Sequence, residues 1–253
     1  MRITVLGKSP SWPDAGGACS GYLVQSGDYA VLLDCGTGVF AKLRELFDYQ
    51  ALDAVLITHL HSDHFFDLVP FSYALLHSPR RRSGHSVALH VQPGGRSLLQ
   101  AMVDPWGQAD LVPTAFDLHE YDPAQVLSLG PLSVRFCEVP HYTTTFAVDF
   151  TDGERRFTYS ADCGPNPALV QFARGTDLLL IEATEPGLED AETPRGHMTA
   201  REAGEQGRQA GARRVVITHF SDELDGDQLR AQASAGFAAA VQLARGGDRY
   251  ELD

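Results

Sequence analysis

The spacing of hydrophobic and polar residues in the first half of the chain predicts short strands and helices. Apolar runs of strand length are separated by turn residues, and Gly27-Asp28 marks a hairpin turn. The apolar residues of VFAKLRELF recur at helical spacing and predict a helix with one buried face. The predicted strands are RITVLG, SGYLVQSG, YAVLLDCG, LDAVLITH and SVALHVQ, and the further helices are DLVPFSYALLH and LLQAMVD.

The second half of the chain repeats this pattern. Thr199 and Glu202 form a capping-box sequence that predicts the start of a helix, which Gly211 closes. A last helix is predicted over residues 227–244, followed by a terminal strand RYEL. The predicted strands before these are LSVRFCEVPH, TTFAVDF, RRFTYSADCG, DLLLIEAT and RVVITHF, with a tight turn at residues 151–154.

Two pairs of segments resemble each other across the halves. AVLLDCG is similar to FTYSADCG, and AVLITHLHSD is similar to RVVITHFSDE. Both pairs place polar residues directly after a buried strand. We therefore predict an α/β fold of two related β-rich halves packed face to face, with helices outside and strand ends converging on one edge. Residues 1–253 are expected to form a single domain.

Composition and charge narrow the possible functions. No apolar run approaches the length of a membrane span, and MRITVLG is typical of a first strand rather than an export signal, which favours the cytoplasm. The four cysteines show no C-x-x-C spacing, so neither a zinc ribbon nor a disulfide framework is indicated. The formal net charge of −13 disfavours a broad nucleic-acid surface, because such surfaces neutralise phosphates with Lys and Arg.

The segment ITHLHSDHFFD carries the clearest chemical signal. Buried without partners, its three histidines and first aspartate would cost several kcal/mol of desolvation each. Side chains alternate along an extended backbone, so His59 and His61 point the same way and can share one metal ion. Asp63 and His64, at the start of the next helix, can face a second metal ion.

Three residues at other predicted strand ends can supply the remaining ligands: His141, Asp162 and His219. For any single histidine, a hydrogen-bonded structural role is the better interpretation, but the whole set favours metal binding. Nitrogen and oxygen ligands without thiolate suit two divalent metal ions, with zinc as the default and manganese or iron as alternatives. A bridging carboxylate and a bridging hydroxide would complete a hydrolytic site.

This set resembles the metallo-β-lactamase superfamily, whose signature H-x-H-x-D-H stands here as residues 59–64. The resemblance spans essentially the whole chain and implies a four-layer αββα sandwich. It implies that Asp162 bridges the two metals and that Asp34 orients the histidine loop without touching metal. The implied ligands are His59, His61 and His141 for one metal and Asp63, His64 and His219 for the other.

Two later segments, IEAT at 181–184 and GHMTA at 196–200, resemble paired elements of the tRNase Z-like phosphodiesterase branch of that superfamily. The resemblance implies that His197 donates a proton to the leaving oxygen or stabilises charge on the phosphate. It implies that Glu182 fixes the tautomer of His197 and raises its pKa. The alternative is structural, with Glu182 ending a strand and His197 preceding a helix cap.

The interval between His141 and Asp162 bears on the substrate. Bacterial tRNA-processing members of the branch carry a long basic arm there, whereas this sequence has two strands and a tight turn. ITVLG and SGYL resemble short, arm-less bacterial members that act as cyclic-nucleotide phosphodiesterases. We therefore expect hydrolysis of small cyclic or linear phosphodiesters, with Asp63, His197 and Glu182 as catalytic residues, and the resemblance implies a homodimer.

Alternative functions stay open at this stage. They are an RNase Z-type ribonuclease that processes tRNA 3′ ends, a thioesterase or lactonase of the same fold, and a metal-bound sensor without turnover. The run Arg80-Arg81-Arg82 is predicted to form a solvated loop rather than a contact with substrate. Four aromatic residues could stack on a base, but packing is the preferred interpretation for each: Phe65, Phe66, Trp106 and Tyr142. Four further histidines match no ligand position and are predicted to be structural or surface residues: His77, His85, His90 and His119.

Overall fold

Two mixed sheets form the centre of the computed structural model, which describes residues 1–81, 84, 86–187 and 195–253. Arg82 of the arginine loop and His85 lie outside the described residues. The strands of the first half are β1 (Arg2–Gly7), β2 (Gly21–Ser26), β3 (Tyr29–Leu33), β4 (Ala54–Leu56), β5 (Ala88–Val91) and β6 (Asp117–Glu120). The later strands are β7 (Leu127–Leu129), β8 (Leu132–Val139), β9 (Thr145–Thr151), β10 (Arg156–Tyr159), β11 (Leu178–Glu182), β12 (Val215–Thr218), β13 (Gln242–Leu243) and β14 (Arg249–Glu251).

Helices connect these strands and cover the outer faces of the sheets. Short 3₁₀ turns occur at Tyr49–Ala51 and Asp104–Trp106. The α-helices are α1 (Val39–Leu46), α2 (Ser62–Phe65), α3 (Leu68–His77), α4 (Gly95–Val103), α5 (Leu111–Ala115), α6 (Pro167–Phe172), α7 (Ala200–Ala210) and α8 (Gly226–Phe237).

The two sheets share one pattern of strand pairing, although the antiparallel edge strand of the first sheet, β14, follows the other strands in the chain. Their orders are β14-β1-β2-β3-β4-β5-β6 and β7-β8-β9-β10-β11-β12-β13. In each sheet the first four strands pair antiparallel and the last four pair parallel. The parallel strands end at the same edge, so residues that follow them are brought together.

Three apolar clusters show the layering. The cluster between the sheets includes Leu56 of β4 and Phe150 of β9. Val55 points to the opposite face of β4 and packs with Phe71 of α3 in a second cluster, as strand alternation requires. A third cluster joins Ile181 of β11 to α6, α7 and α8. The layers are therefore helix, sheet, sheet and helix, which confirms the predicted αββα sandwich.

The repeated topology explains one of the two sequence echoes. Asp34 follows β3 and Asp162 follows β10, and these strands occupy equivalent places in the two sheets. The second echo is displaced, because His59 follows β4 whereas His219 follows β12, which is equivalent to β5. The equivalent of β4 is β11, and it ends in Glu182.

The predicted last helix over residues 227–244 is too long. Helix α8 ends at Phe237, and Ala238 adopts a left-handed conformation with φ 61°. The chain then returns so that β13 extends the sheet beside β12. Helices α5 and α6 and strands β6 and β7 were not predicted, because each is short and carries little periodicity. In the described part of the chain, none of the helices combines the length and apolar character of a membrane span.

Candidate metal centre

The predicted site residues meet at the edge where the parallel strands end. Three non-glycine residues at strand ends have left-handed backbones, namely Asp34, Ala161 and His219, with φ of 57°, 50° and 52°. Such conformations cost about 1–3 kcal/mol each and persist where surrounding structure imposes them. They turn the chain sharply after β3, β10 and β12, which brings the side chains of Asp34, Asp162 and His219 close together.

The histidine loop is fastened to the end of β3 by backbone hydrogen bonds. The N–H of Cys35 donates to the carbonyl of His64 at 2.7 Å, and the N–H of Asp67 donates to the carbonyl of Cys35 at 3.1 Å. A side chain at Gly36 would overlap the carbonyl oxygen of Asp63, so only glycine permits this approach. The loop is therefore positioned by main-chain contacts before any ligand binds.

One group of four side chains approximates a tetrahedron of ligand atoms. Its members are Asp63, His64, Asp162 and His219, all buried. His219 Nε2 lies 3.2 Å from Asp63 Oδ2, 3.3 Å from Asp162 Oδ2 and 3.3 Å from His64 Nε2. His64 Nε2 lies 3.2 Å from Asp162 Oδ2 and 3.6 Å from Asp63 Oδ2. A tetrahedral zinc site with bonds near 2.0–2.1 Å has edges of about 3.3 Å, which these distances match.

A second group shares Asp162 with the first. It combines Asp162 with His59, His61 and His141, whose candidate ligand atoms lie within 4.8 Å of one another. His61 Nδ1 lies 3.0 Å from His141 Nε2, and Asp162 Oδ2 lies 3.7 Å from His59 Nε2. The structure therefore brings together all seven residues predicted as ligands, with the Asp162 carboxylate between the two groups.

Asp34 organises one side of the cluster. Its carboxylate accepts hydrogen bonds from the N–H of Thr58 at 2.8 Å, the hydroxyl of Thr58 at 3.0 Å and Nδ1 of His64 at 2.8 Å. The Thr58 hydroxyl oxygen also lies 3.2 Å from Nδ1 of His59, from which it can accept a hydrogen bond. Both imidazoles are thereby fixed with Nε2 directed at the cluster, the orientation that a metal ligand needs.

Glu182 organises the opposite side with the same set of contacts. Its carboxylate accepts from the N–H of Thr184 at 3.0 Å, the hydroxyl of Thr184 at 2.8 Å and Nδ1 of His197 at 2.8 Å. The Thr184 hydroxyl oxygen lies 2.7 Å from Nδ1 of His219. The N–H of Cys163 adds a fourth hydrogen bond to Glu182 at 2.8 Å.

The charges of the cluster follow from burial and mutual contact. Burial and the neighbouring His64 hold the pKa of His59 well below its ordinary value. Burial opposes ionisation of Asp162, yet His219 and His64 hold its pKa well below the ordinary range. Burial also lowers the pKa of His197, but its hydrogen bond to Glu182 outweighs this and raises the pKa to about 9.

Two atoms at the centre of the cluster have no hydrogen-bond partner although they are buried. They are His59 Nε2 and Asp162 Oδ1. Burying an unpaired acceptor is costly, and several ring nitrogens here face one another at 3.0–3.3 Å. Divalent cations would satisfy these lone pairs and offset the repulsion, so the residues present fit a metal centre. Nitrogen and carboxylate donors without thiolate match zinc, manganese or iron.

Sequence reasoning missed several supporting contacts. The N–H of Ser11 donates to Asp63 Oδ2 at 2.8 Å, and nothing in the sequence connects these residues. The carbonyl of Gly196 lies 2.7 Å from His141 Nδ1 and fixes that ring. Thr58 and Thr184 carried a signal, because each lies within two residues of a predicted site residue.

The remaining candidates fall into two classes. Phe65 is buried and packs in the core, as predicted, whereas Phe66, Trp106 and Tyr142 are exposed. Arg80 and Arg81 are exposed too, and Arg80 comes no nearer than 3.9 Å to Asp48, which agrees with a solvated loop.

Comparison with known families agrees with the metal centre that the geometry indicates. The family model of the β-lactamase superfamily domain matches residues 29–220 of the chain. The chain belongs to this superfamily. YhfI of Bacillus subtilis, named as a probable metallo-hydrolase, is 32% identical over 252 residues, which cover 99% of this chain and all of YhfI. The ribonuclease Z of Myxococcus xanthus is 28% identical, covering 100% of this superfamily member and 98% of that protein.

Similar solved structures confirm the fold. The crystal structure of YhfI, described as a metallo-β-lactamase fold protein, has a TM-score of 0.89 at 31% identity and covers 98% of both chains. The short form of human tRNase Z has a TM-score of 0.76 at 22% identity over 100% of both chains. A diphosphatase from the PhnP family has a TM-score of 0.76 at 21% identity, covering 100% of this chain and 98% of the diphosphatase chain. The chain is therefore a metallo-β-lactamase-fold protein of a metallo-hydrolase family.

Proposed function

We propose that the protein is a dinuclear metal-dependent phosphodiesterase that hydrolyses small cyclic or linear phosphodiesters. The observation that carries this proposal is the Glu182–His197 pair. His197 lies beside the seven-residue cluster, with its ring 4.8 Å from that of His141 and 5.7 Å from that of His219. Its side chain is 16% exposed, so it can reach a substrate that the cluster holds.

The seven clustered residues would hold two metal ions. One site combines His59, His61 and His141, the other Asp63, His64 and His219, with Asp162 between them, as the distances above favour. When bound, divalent cations would polarise a phosphoryl oxygen and lower the pKa of coordinated water toward about 7. In this proposal Asp63 belongs to both the ligand set and the catalytic set, and the N–H of Ser11 orients its carboxylate by donating to Oδ2 at 2.8 Å.

His197 supplies the proton that the leaving oxygen needs. The oxygen of a water molecule that has released one proton to solvent forms a bond to phosphorus, and the bond from phosphorus to the leaving oxygen breaks. That oxygen takes a proton from His197 Nε2, and solvent returns a proton to His197 after product release. Glu182 binds the opposite nitrogen, Nδ1, at 2.8 Å and keeps the ring charged at neutral pH, since it raises the pKa to about 9. A positioned general acid typically contributes about 10²–10⁴-fold in rate.

Charge and topology favour a small substrate. The formal net charge of −13 opposes a long polyanion, which would need many Lys and Arg contacts. The interval from His141 to Asp162 is filled by β9, β10 and the short turn at residues 152–155, which leaves no room for an inserted arm. A cyclic nucleotide or a short diester needs only the metal centre, His197 and a small surface for its remaining group.

RNase Z-type cleavage of a tRNA precursor is the second candidate. The whole-length match to the M. xanthus ribonuclease Z favours it. A binding surface formed by the second subunit of a homodimer would compensate for the missing arm. The net negative charge opposes binding of a tRNA, so this ribonuclease activity ranks second to hydrolysis of small diesters.

The test is steady-state hydrolysis by the zinc- or manganese-loaded protein at equal enzyme concentration. The substrates are bis(p-nitrophenyl) phosphate, 2′,3′- and 3′,5′-cyclic nucleotides and a tRNA precursor, with metal content measured on the same samples. Turnover of the small diesters above that of the precursor is expected. Two bound metals without turnover of any phosphodiester would overturn the proposal and direct the search to thioesters and lactones.

Four related expectations stay predictions. They are zinc as the native metal, a homodimer, a single domain over residues 1–253 and a cytoplasmic location. Elemental analysis of the purified protein and light scattering check the first two. Limited proteolysis checks the third, and cell fractionation checks the fourth.

A further inference from the structure

Tyr142 presents an exposed aromatic ring beside the reacting groups. It directly follows His141 and is 66% exposed. Its ring centroid lies 5.1 Å from that of His141 and 5.7 Å from that of His197. Tyr142 is the most exposed of the large hydrophobic side chains among the described residues, and it lies directly beside two histidines of the site.

The position of this ring is fixed without a ligand. Gly196 passes beneath it, and a Cβ at Gly196 would lie only 2.7 Å from Tyr142 Cε2 and 2.9 Å from His141 Nδ1. The glycine therefore lets the ring lie against the backbone that also holds His141. Two histidines and this backbone constrain the ring on one side, and the solvent-facing remainder is free for a planar partner. Little side-chain entropy is left to lose on binding.

We propose that Tyr142 is a specificity-determining residue whose exposed ring stacks on the nucleobase of a phosphodiester held at His197. This rests on the proposed phosphodiesterase function and narrows its substrate class to nucleoside-bearing diesters. His197 donates to the leaving oxygen, so a nucleoside on that oxygen lies on the Tyr142 side of the phosphate. Every base offers a π-face, so the ring detects the presence of a base more than its identity.

The kinetic test compares a substrate with a base and one without. The zinc-loaded wild type and the Tyr142→Ala, Tyr142→Phe and Tyr73→Ala variants are assayed on 2′,3′-cyclic AMP and glycerol 1,2-cyclic phosphate. Tyr73, another exposed tyrosine, lies on α3 and serves as the matched control. Tyr142→Ala is expected to raise KM for the nucleotide by about 5-fold or more, with kcat nearly unchanged.

The same variant should leave KM for the glycerol diester unchanged, and Tyr142→Phe and Tyr73→Ala should behave as wild type on both. An equal KM change on both substrates, or none on the nucleotide, would overturn the assignment. Circular dichroism melts confirm that each variant is folded.

A binding measurement separates this inference from the proposed activity. Calorimetry compares AMP with ribose 5-phosphate on the metal-loaded wild type and Tyr142→Ala. Tighter binding of AMP by about 5-fold or more, lost in Tyr142→Ala, would support stacking of the base on Tyr142 even if no diester is hydrolysed. Equal affinity of the wild type for both ligands would overturn it, even if phosphodiester turnover is established.

Discussion

The centre contains the same constellation twice, once around Asp34 and once around Glu182. In each, a strand-end carboxylate accepts the N–H and hydroxyl of one threonine and Nδ1 of one histidine, and the threonine hydroxyl contacts a further histidine. The carboxylate–histidine distance is 2.8 Å in both.

The two copies differ in where the carboxylate-bound histidine points. His64 is fully buried and directs Nε2 at Asp162, 3.2 Å away, and at His219. His197 remains partly exposed beside the cluster. The same hydrogen bonds can therefore orient a metal ligand or hold a charged proton donor, and the surroundings of Nε2 decide between these roles.

Removing the carboxylate shared by both metal groups should have the largest effect. Asp162→Ala is expected to reduce the metal content below two per chain and phosphodiester turnover below detection. Elemental analysis and steady-state assays check this, with Asp227→Ala, a 91% exposed side chain on α8, as control. Two bound metals with turnover near wild type would contradict the assignment.

Substitution in the Asp34 copy should affect metal binding. Asp34→Asn weakens the acceptor that orients His64 and is expected to lower metal affinity by about 10–100-fold. Competition with a chromophoric chelator measures this affinity. Because only occupancy suffers, excess metal should restore most of the turnover, and a loss that excess metal does not restore would refute this role for Asp34.

Substitution in the Glu182 copy should affect the pH dependence instead. Without the carboxylate the pKa of His197 falls from about 9 toward its ordinary value, so the acid form is lost at lower pH. For Glu182→Gln the alkaline limb of kcat therefore moves to lower pH, and kcat at pH 8 drops by about 30-fold. Metal content should stay at two, and an unshifted alkaline limb would count against the pairing.

The threonines should give the smallest effects. Thr58→Val and Thr184→Val each remove one hydroxyl, and about 2- to 10-fold losses are expected. The loss should fall on metal affinity for Thr58→Val and on both metal affinity and kcat for Thr184→Val, since Thr184 joins Glu182 to His219. Thr→Ser variants at both positions keep the hydroxyl and should behave as wild type. Equal changes in metal affinity and kcat for the two valine variants would contradict the different roles of the Asp34 and Glu182 copies.

The two parts of the cluster could be predicted from the sequence for different reasons. His59 to His64 stand in one short loop, so their proximity is set by chain connectivity. His141, Asp162 and His219 are far apart in the chain, and their common position at strand ends made the set predictable. Ser11 could not be predicted, because its contribution is a backbone N–H that any residue could supply. The end of α8 was missed because Ala238 gives no sign of its left-handed backbone.

The most direct test of His197 as proton donor is the effect of His197→Ala on two leaving groups. A 3′,5′-cyclic nucleotide expels an alkoxide that needs a proton, whereas methyl p-nitrophenyl phosphate expels a phenolate that needs little assistance. With two metals still bound, kcat should fall by about 10²–10⁴-fold on the nucleotide and far less on the nitrophenyl diester. Equal losses on both substrates, or loss of a metal ion, would contradict this role.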